Sequence, residues 1–196
     1  MSDKNDTRKL ILEAVITCVE KYGIDKVTTR RIAEEAGTNI ASINYYFRSK
    51  DELIAETLSM TITHMFEDVS KSLDDADQSF ETALTEVFFY LSDGCLRFPG
   101  ISRAHLFKIV MEKDYTSVSG KTFLKVFERL VERAESAYPS KNPKQLRLRL
   151  SQVLSSLMFT MLAPDFLPVA REYRLSSPKN AKILAEAYAS LFVEGR

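Results

Sequence analysis

The sequence predicts an all-α protein of about nine helices, and three observations support that fold class. In nearly every segment of the 196-residue chain, apolar residues recur at the three- and four-residue spacing of one helical face. Glycine, proline and small polar residues stand where one such segment gives way to the next. No stretch alternates strictly between apolar and polar residues, as a half-buried β-strand does.

The first three predicted helices are bounded by residues with clear conformational roles. The first covers residues 7–22 and ends at Gly23. Thr28 is the predicted N-cap of the second helix, because its hydroxyl can accept a hydrogen bond from a backbone N–H of the first turn. Gly37 supplies the left-handed residue that commonly ends a helix, and Asn39 is the predicted N-cap of the third helix.

A long fourth helix is predicted over residues 50–73, with Ser49 and Glu52 forming a capping box at its start. Residues 70–78 are polar and acidic, and they are expected to form a loop. Further helices are predicted at residues 80–98, 101–113, 122–138 and 145–162 and from residue 178 onward. Two prolines interrupt the helical pattern before the last of these helices.

The second and third predicted helices, joined by a turn of three or four residues, have the geometry of a helix-turn-helix. Such a unit places its second helix in the major groove of DNA, with residues near the N-terminus of that helix against base edges. Ile32, Ile43 and Phe47 lie on the apolar faces and are assigned to the core. The sequence therefore predicts a DNA-binding head over residues 1–50 and a helical body over residues 51–196.

Charge is balanced over the whole chain, with 27 lysine and arginine residues against 27 aspartate and glutamate residues. Zero net charge argues against a protein that coats DNA without regard to sequence, because such binding depends on an excess of cations. Locally, Arg30, Arg31, Arg48 and Lys50 cluster around the helix-turn-helix. We expect Arg31 and Arg48 to be solvated charges.

Several other classes of protein are disfavoured. The two cysteines lie on apolar helical stripes without metal or redox spacing, and they are expected to be buried. The N-terminus lacks an apolar signal-peptide region, and no apolar run approaches the roughly 20 residues that span a bilayer. A cytoplasmic protein without membrane association is therefore expected. Two distant histidines and no Gly-rich phosphate loop give no catalytic constellation, so we expect no enzyme activity, cofactor or metal site.

The strongest motif lies in residues 27–54, which read VTTRRIAEEAGTNIASINYYFRSKDELI. A Thr-Thr-Arg entry, an Ile-Ala pair, an Ala-Gly turn, an aromatic pair before Phe47 and a Ser-Lys step ahead of an acidic residue and leucine occur in order and without gaps. In these features the chain resembles the tetracycline-repressor (TetR/AcrR) family of transcriptional regulators. The close resemblance covers roughly the first quarter of the chain.

The resemblance implies which side chains of the head meet DNA. Contacts to base edges are expected from Arg30, Ile40, Ala41, Ser42 and Asn44. Contacts to phosphates are expected from Thr29, Tyr45, Tyr46 and Lys50. Arginine and asparagine can bond guanine and adenine bidentately, while alanine and isoleucine can pack on a thymine methyl group. Asn44 departs from the tyrosine that is frequent in the family at this position, which changes the preferred base. One of the two tyrosines is expected to pack beneath the head.

For the body, the resemblance implies a homodimer that uses the last two long helices. The last helix carries four small residues, Ala181, Ala185, Ala187 and Ala189. Small residues allow helices to approach closely, and the pattern alone fits a helix packed within its own chain as well as one packed against a second copy.

The resemblance also implies a repressor that a small apolar or amphipathic effector releases from an inverted-repeat operator in double-stranded DNA. Candidate pocket residues, chosen among the phenylalanines, methionines and histidines of the body, are Met60, His64, Phe88, His105, Phe107, Met111, Phe127 and Met158. The same residues could instead fill a solid core. Two alternatives therefore stay open: a constitutive DNA-binding regulator, and a helical protein-interaction module without a small-molecule effector.

Overall fold

Nine α-helices make up the part of the chain that the structure, a computed structural model, describes, namely residues 2–163, 166 and 178–194. In chain order they are α1 (Ser2–Tyr22), α2 (Thr29–Glu35), α3 (Ile40–Tyr46), α4 (Lys50–Asp74), α5 (Phe80–Arg97), α6 (Pro99–Val110), α7 (Val118–Ala137), α8 (Pro143–Leu162) and α9 (Pro178–Glu194). A 3-10 turn at Ile24–Lys26 separates α1 from α2. No strand occurs within those ranges, and the all-α class is confirmed. The two prolines that interrupt the pattern, Pro164 and Pro168, lie outside the described residues.

Two clusters of buried apolar side chains hold the helices together. The head core joins α1, α2 and α3 to the first half of α4, and it includes Ile32, Ile43 and Phe47, as predicted. It also receives Ile101 and Ala104 from α6. The body core joins the end of α4 to α5, α7, α8 and α9. Helices α4 and α6 therefore connect the head to the body.

The capping residues of the head act as predicted. Thr28, Asn39 and Ser49 each accept a hydrogen bond from the backbone N–H three residues later, at donor–acceptor distances of 3.3, 2.8 and 3.1 Å. Gly37 has a φ of +62° and ends α2. Glu52 completes the capping box in a variant form, because its carboxylate accepts from the N–H of the residue before Ser49. These local bonds fix where α2, α3 and α4 begin.

The polar segment at residues 70–78, predicted as a loop, is helical in its first half. Val69 and Leu73 keep helical spacing and are both buried in the body core. Their burial extends α4 through the polar residues between them. The connection to α5 is reduced to residues 75–79.

The start of α6 is held by a side chain of the head. Pro99 has no backbone N–H, and the N-cap residue Phe98 supplies no side-chain hydrogen bond. The next two N–H groups, of Gly100 and Ile101, donate to the two carboxylate oxygens of Glu20 in α1, at 2.8 and 2.7 Å. A carboxylate is favourable at a helix N-terminus, where the helix dipole is positive. Glu20 therefore caps a body helix from within the head.

Gly100 lies where a larger residue does not fit. A Cβ there would meet the carbonyl oxygen of Val19 at 2.9 Å and Cα of Glu20 at 3.0 Å, both main-chain atoms of α1. We expect Gly100→Ala to lower the free energy of unfolding by about 1–3 kcal/mol, the usual cost of overpacking. The matched control is Gly94→Ala in α5, where a Cβ meets nothing within 4 Å. That variant should be more stable by about 0.5–1 kcal/mol. Denaturant titration of both variants checks the prediction, and equal stabilities would contradict it.

Candidate functional site

Helix α3 presents one face to solvent and the other to the head core. Ile40, Ala41, Asn44 and Tyr45 are exposed, and their spacing places them together on one side of the helix. Ile43, on the opposite side, is buried in the head core. Exposed apolar and amide side chains on a rigid, capped helix form a surface that can read base edges.

The nine residues predicted to contact DNA lie on three successive elements of the head. They are Thr29 and Arg30 at the start of α2, then Ile40, Ala41, Ser42, Asn44, Tyr45 and Tyr46 on α3, and Lys50 at the start of α4. Tyr46 packs against the head core, and Tyr45 is 68% exposed. One tyrosine of the pair therefore packs beneath the head, as expected. The two rings meet edge to face with centroids 5.1 Å apart.

The two cations of this set make only weak contacts within the chain. Arg30 Nε donates to Glu34 at 2.9 Å, and both side chains are largely exposed. Lys50 Nζ lies 3.4 Å from the carbonyl oxygen of Val27. An exposed ion pair of this kind contributes about 0–1 kcal/mol, so Arg30 can exchange its partner for a nucleic acid at little cost.

Arg31, expected to be a solvated charge, is instead part of the head structure. Its guanidinium donates to the carbonyl oxygen of Lys26 and lies 4.4 Å from the ring centroid of Tyr22. The aromatic face and the carbonyl attract the cation, and they tie α2 to the end of α1. Arg48 is exposed, as expected.

A cavity of about 790 Å³ lies mainly in the body, with walls from α4, α5, α6, α7 and α8 and a contribution from Ile16 of α1. Most of the lining is apolar, with Met65, Phe123, Phe127 and Leu154 among the larger side chains. Its volume is within the range of sites that bind drug-sized molecules.

His105 joins three walls of the cavity through hydrogen bonds. Its Nε2 lies 3.0 Å from Thr61 Oγ1 in α4, and its Nδ1 lies 2.8 Å from Ser119 Oγ in α7. The Thr61 hydroxyl donates to backbone carbonyls of its own helix, so its oxygen accepts from Nε2–H. Nδ1 then accepts from Ser119. Burial lowers the pKa of His105 to about 4, so the ring is neutral near pH 7.

A second polar group of the cavity is the pair formed by Asp68 of α4 and Tyr90 of α5. Tyr90 Oη donates to Asp68 Oδ2 at 2.6 Å, and Lys71 donates to Oδ1 at 2.6 Å. The hydrogen bonds from Lys71 and Tyr90 hold the pKa of Asp68 below its usual value. Burial and the Asp68 hydrogen bond raise the pKa of Tyr90 to about 12. Asp68 is therefore a carboxylate, and Tyr90 a neutral phenol, at neutral pH.

The predicted effector residues divide between the cavity and other places. Five of the eight line the cavity: Met60, His64, His105, Phe127 and Met158. Phe88 is completely buried in the body core. Phe107 and Met111 are exposed, on the outward side of α6 and just beyond its end. Helical spacing identifies an apolar face, but it does not say which neighbouring helices meet that face.

Sequence reasoning misses several lining residues. Thr61 and Asp68 lie one helical turn before and one helical turn after His64 on the same face of α4, and that spacing is the signal that could have found them. Ser119 carries no such signal, because its contact with His105 joins separate helices.

Three residues belong to the cavity and to the head at the same time. Ile16 of α1, Met60 of α4 and Ile101 of α6 all line the cavity. Ile101 is buried in the head core, and the other two pack against that core. A molecule in the cavity would therefore contact side chains that also pack in or against the head core.

The last two long helices carry exposed apolar side chains. On α9, Ile183, Ala187 and Leu191 are exposed at a spacing of four residues and form one stripe. On α8, Leu148 and Phe159 are exposed on one side of the helix. The other three alanines of α9 are buried within the chain, so the close approach they allow is intramolecular. The exposed stripe is the part of α9 that remains open to a second molecule.

None of the helices in the described ranges combines the length and the apolar character that a bilayer crossing needs.

Comparisons with known proteins agree with this architecture. Residues 11–57 match the family model described as bacterial regulatory proteins, tetR family. The HTH-type transcriptional regulator BetI of Yersinia pestis is 32% identical over 66 residues, which are 34% of this chain and 33% of BetI. The HTH-type transcriptional dual regulator CecR of Shigella flexneri is 46% identical over 46 residues, 24% of this chain and 20% of CecR. The chain thus spans a third or less of the length of these curated relatives.

Similarity in three dimensions extends over nearly the whole chain. The crystal structure of the transcriptional regulator FadR from Bacillus subtilis, in complex with stearoyl-CoA, aligns with a TM-score of 0.70. The alignment covers 96% of this chain and 98% of FadR at 11% sequence identity, a level at which the likeness concerns the fold. Residues 11–57 therefore match the helix-turn-helix segment of the tetR family of bacterial regulatory proteins, and the all-helical fold of the chain is similar to that of a solved transcriptional regulator.

Proposed function

We propose that this protein is a homodimeric transcriptional repressor that reads an inverted repeat in double-stranded DNA and releases it when a small molecule fills the cavity. The observation that carries the proposal is the exposed face of α3, with Asn44 between apolar neighbours and cations at its edges. An exposed amide with apolar neighbours and flanking cations on a capped helix-turn-helix is typical of a DNA-reading protein, and it is not expected of an enzyme or a protein-interaction module.

Selection of preferred sites from a random duplex library, at roughly physiological salt, tests the DNA-reading part. We expect an inverted repeat with half-sites about 34–36 Å apart, since a two-fold dimer presents two reading helices. Failure of a folded, dimeric protein to enrich any sequence would overturn the proposal and favour an interaction module.

Two substitutions in the head separate base reading from phosphate binding. Asn44→Ala should relax the preference at one base pair and cost about 1–3 kcal/mol on the selected site alone. Lys50→Ala should instead weaken binding to selected and random duplexes alike and reduce the salt dependence. Fluorescence anisotropy with both duplexes at several salt concentrations measures these effects. Equal losses on the two duplexes for both variants would contradict the assignment.

The effector part of the proposal is supported by the cavity and by its contact with the head. A ligand can shift the head only if it binds one arrangement of the helices better than the other. Ile16, Met60 and Ile101 would transmit such a shift through side-chain packing, and Glu20 would transmit it through the start of α6. The stearoyl-CoA complex of FadR gives the example of a protein with this fold that holds a small molecule.

A further inference from the structure

The charged groups that line the cavity are acidic rather than basic. Among the described residues that line it, there is one carboxylate, Asp68, and there is neither lysine nor arginine. An anion that enters an apolar cavity without a cationic partner loses its hydration without compensation. The lining therefore disfavours a carboxylate or phosphate group on the ligand.

The two histidines of the lining do not supply the missing cation. Burial lowers the pKa of His105 to about 4, and both of its ring nitrogens already have hydrogen-bond partners. His64 is exposed and lies four residues before Asp68 on α4, close enough to stabilise that carboxylate. A positive charge on His64 would thus be neutralised by the nearby Asp68 and would attract an anionic ligand only weakly.

Aromatic rings and thioethers make up much of the remaining surface. Tyr90, Phe98, Tyr115, Phe123 and Phe127 all line the cavity. The face of an aromatic ring attracts an organic cation and packs well against apolar groups. Within the described part of the chain, Asp68 forms an ion pair with Lys71, whose side chain is 76% exposed. Such a surface ion pair is weak, so a ligand cation can compete for the carboxylate.

We propose that the effector is an organic cation with an apolar body, whose charged end lies at the Asp68–Tyr90 pair and whose body lies against the aromatic and methionine walls. The proposal rests on the effector function proposed above and names the chemical class of that effector. Anionic amphiphiles are expected to bind more weakly, because the described lining residues include neither lysine nor arginine and Asp68 would repel an anion.

Three probes that share one apolar chain test the class of ligand: decyltrimethylammonium, 1-decanol and decanoate, each kept below the concentration at which it forms micelles. Isothermal titration of the full chain, without DNA, should give the lowest Kd for the cation. We expect the alcohol to bind about tenfold more weakly than the cation, and decanoate more weakly still. Binding of decanoate as tight as that of the cation would overturn the proposal.

The variant Asp68→Asn locates the charged end of the probe. It keeps the shape of the side chain and an oxygen that can accept from Tyr90, so thermal unfolding should change little. We expect the preference for decyltrimethylammonium over decanol to disappear in this variant. The matched control is Glu67→Gln, which removes the neighbouring exposed carboxylate outside the lining and should leave the preference intact. Loss of the preference in the control, or its survival in Asp68→Asn, would overturn the assignment.

Failure of the ligand class is distinguishable from failure of the DNA-reading function. If none of the probes binds while the protein still enriches an inverted repeat, the cation proposal is overturned and the DNA-reading function stands. If the cation binds but no DNA sequence is enriched, the ligand class stands and the regulator function is overturned.

Discussion

The double variant Ile183→Asp, Leu191→Asp should be a monomer that has lost about two to four orders of magnitude of affinity for the inverted repeat. Both side chains belong to the exposed apolar stripe of α9, and an aspartate placed in a buried interface leaves a charge without a partner. Two linked heads that bind two half-sites gain about 10²–10⁴ in affinity over one head. That gain is what the monomer loses, while its affinity for a single half-site should be unchanged.

Sedimentation equilibrium and anisotropy titrations with full-site and half-site duplexes measure the two effects separately. The matched control is Lys182→Asp, which places the same group on an exposed side of α9 away from the stripe. It should remain dimeric and bind the full site normally. A dimeric double variant would place the interface elsewhere and contradict the proposal for the last two helices.

Glu20→Ala should detach the start of α6 from the head. The substitution removes both acceptors of the Gly100 and Ile101 N–H groups, and Pro99 and Phe98 offer no substitute. Hydrogen bonds to a charged acceptor contribute about 1.5–3 kcal/mol each, and the partial exposure of Glu20 reduces that figure. We expect the free energy of unfolding to fall by about 2–4 kcal/mol. The amides of residues 100 and 101 should exchange with solvent faster than in the parent protein.

The functional expectation for Glu20→Ala is a separation of ligand binding from DNA release. The cavity residues remain, so a cationic probe should still bind, but occupied and empty protein should now hold DNA with similar affinity. Glu13→Ala, which removes an exposed carboxylate from the same helix, is the control and should behave as the parent protein does. Normal ligand-induced release in Glu20→Ala would contradict a role for this cap in the response and would leave the packing of Ile16, Met60 and Ile101 as the route.

Local features of the fold could be predicted from the sequence because they depend on neighbouring residues. Thr28, Asn39 and Ser49 each cap a helix through a residue three positions away, and Gly37 adopts its left-handed conformation within one turn. The exposed face of α3 follows in the same way from the burial of Ile43 on the other side. For the caps and for the exposed face of α3, local chemistry and periodicity were therefore sufficient, whereas the contacts of Arg31 with Lys26 and Tyr22 were not predicted.

The features of the fold and of the cavity that the sequence did not predict depend on contacts between residues far apart in the chain. The periodicity of apolar residues does not indicate such contacts. Glu20 caps a helix that begins 79 residues later, at Pro99. The continuation of α4 through its polar end depends on Val69 and Leu73 finding partners on other helices. Phe88, Phe107 and Met111 look equivalent to Phe127 in the sequence, and only the packing of the helices separates core, surface and cavity.

Part of the cavity wall belongs to the head core and part does not, and this division limits how the protein can evolve. Phe123, Leu154 and Met158 belong to the wall formed by α7 and α8 and have no part in the head core. Substitutions there can alter the range of accepted molecules while the fold of the reading head is preserved. Ile16, Met60 and Ile101 have no such freedom, because every change of volume at those positions also alters the packing of the head. For the effector proposed above, substitutions at the α7–α8 end of the cavity could therefore change which molecules bind, whereas the residues shared with the head core would constrain the response to binding.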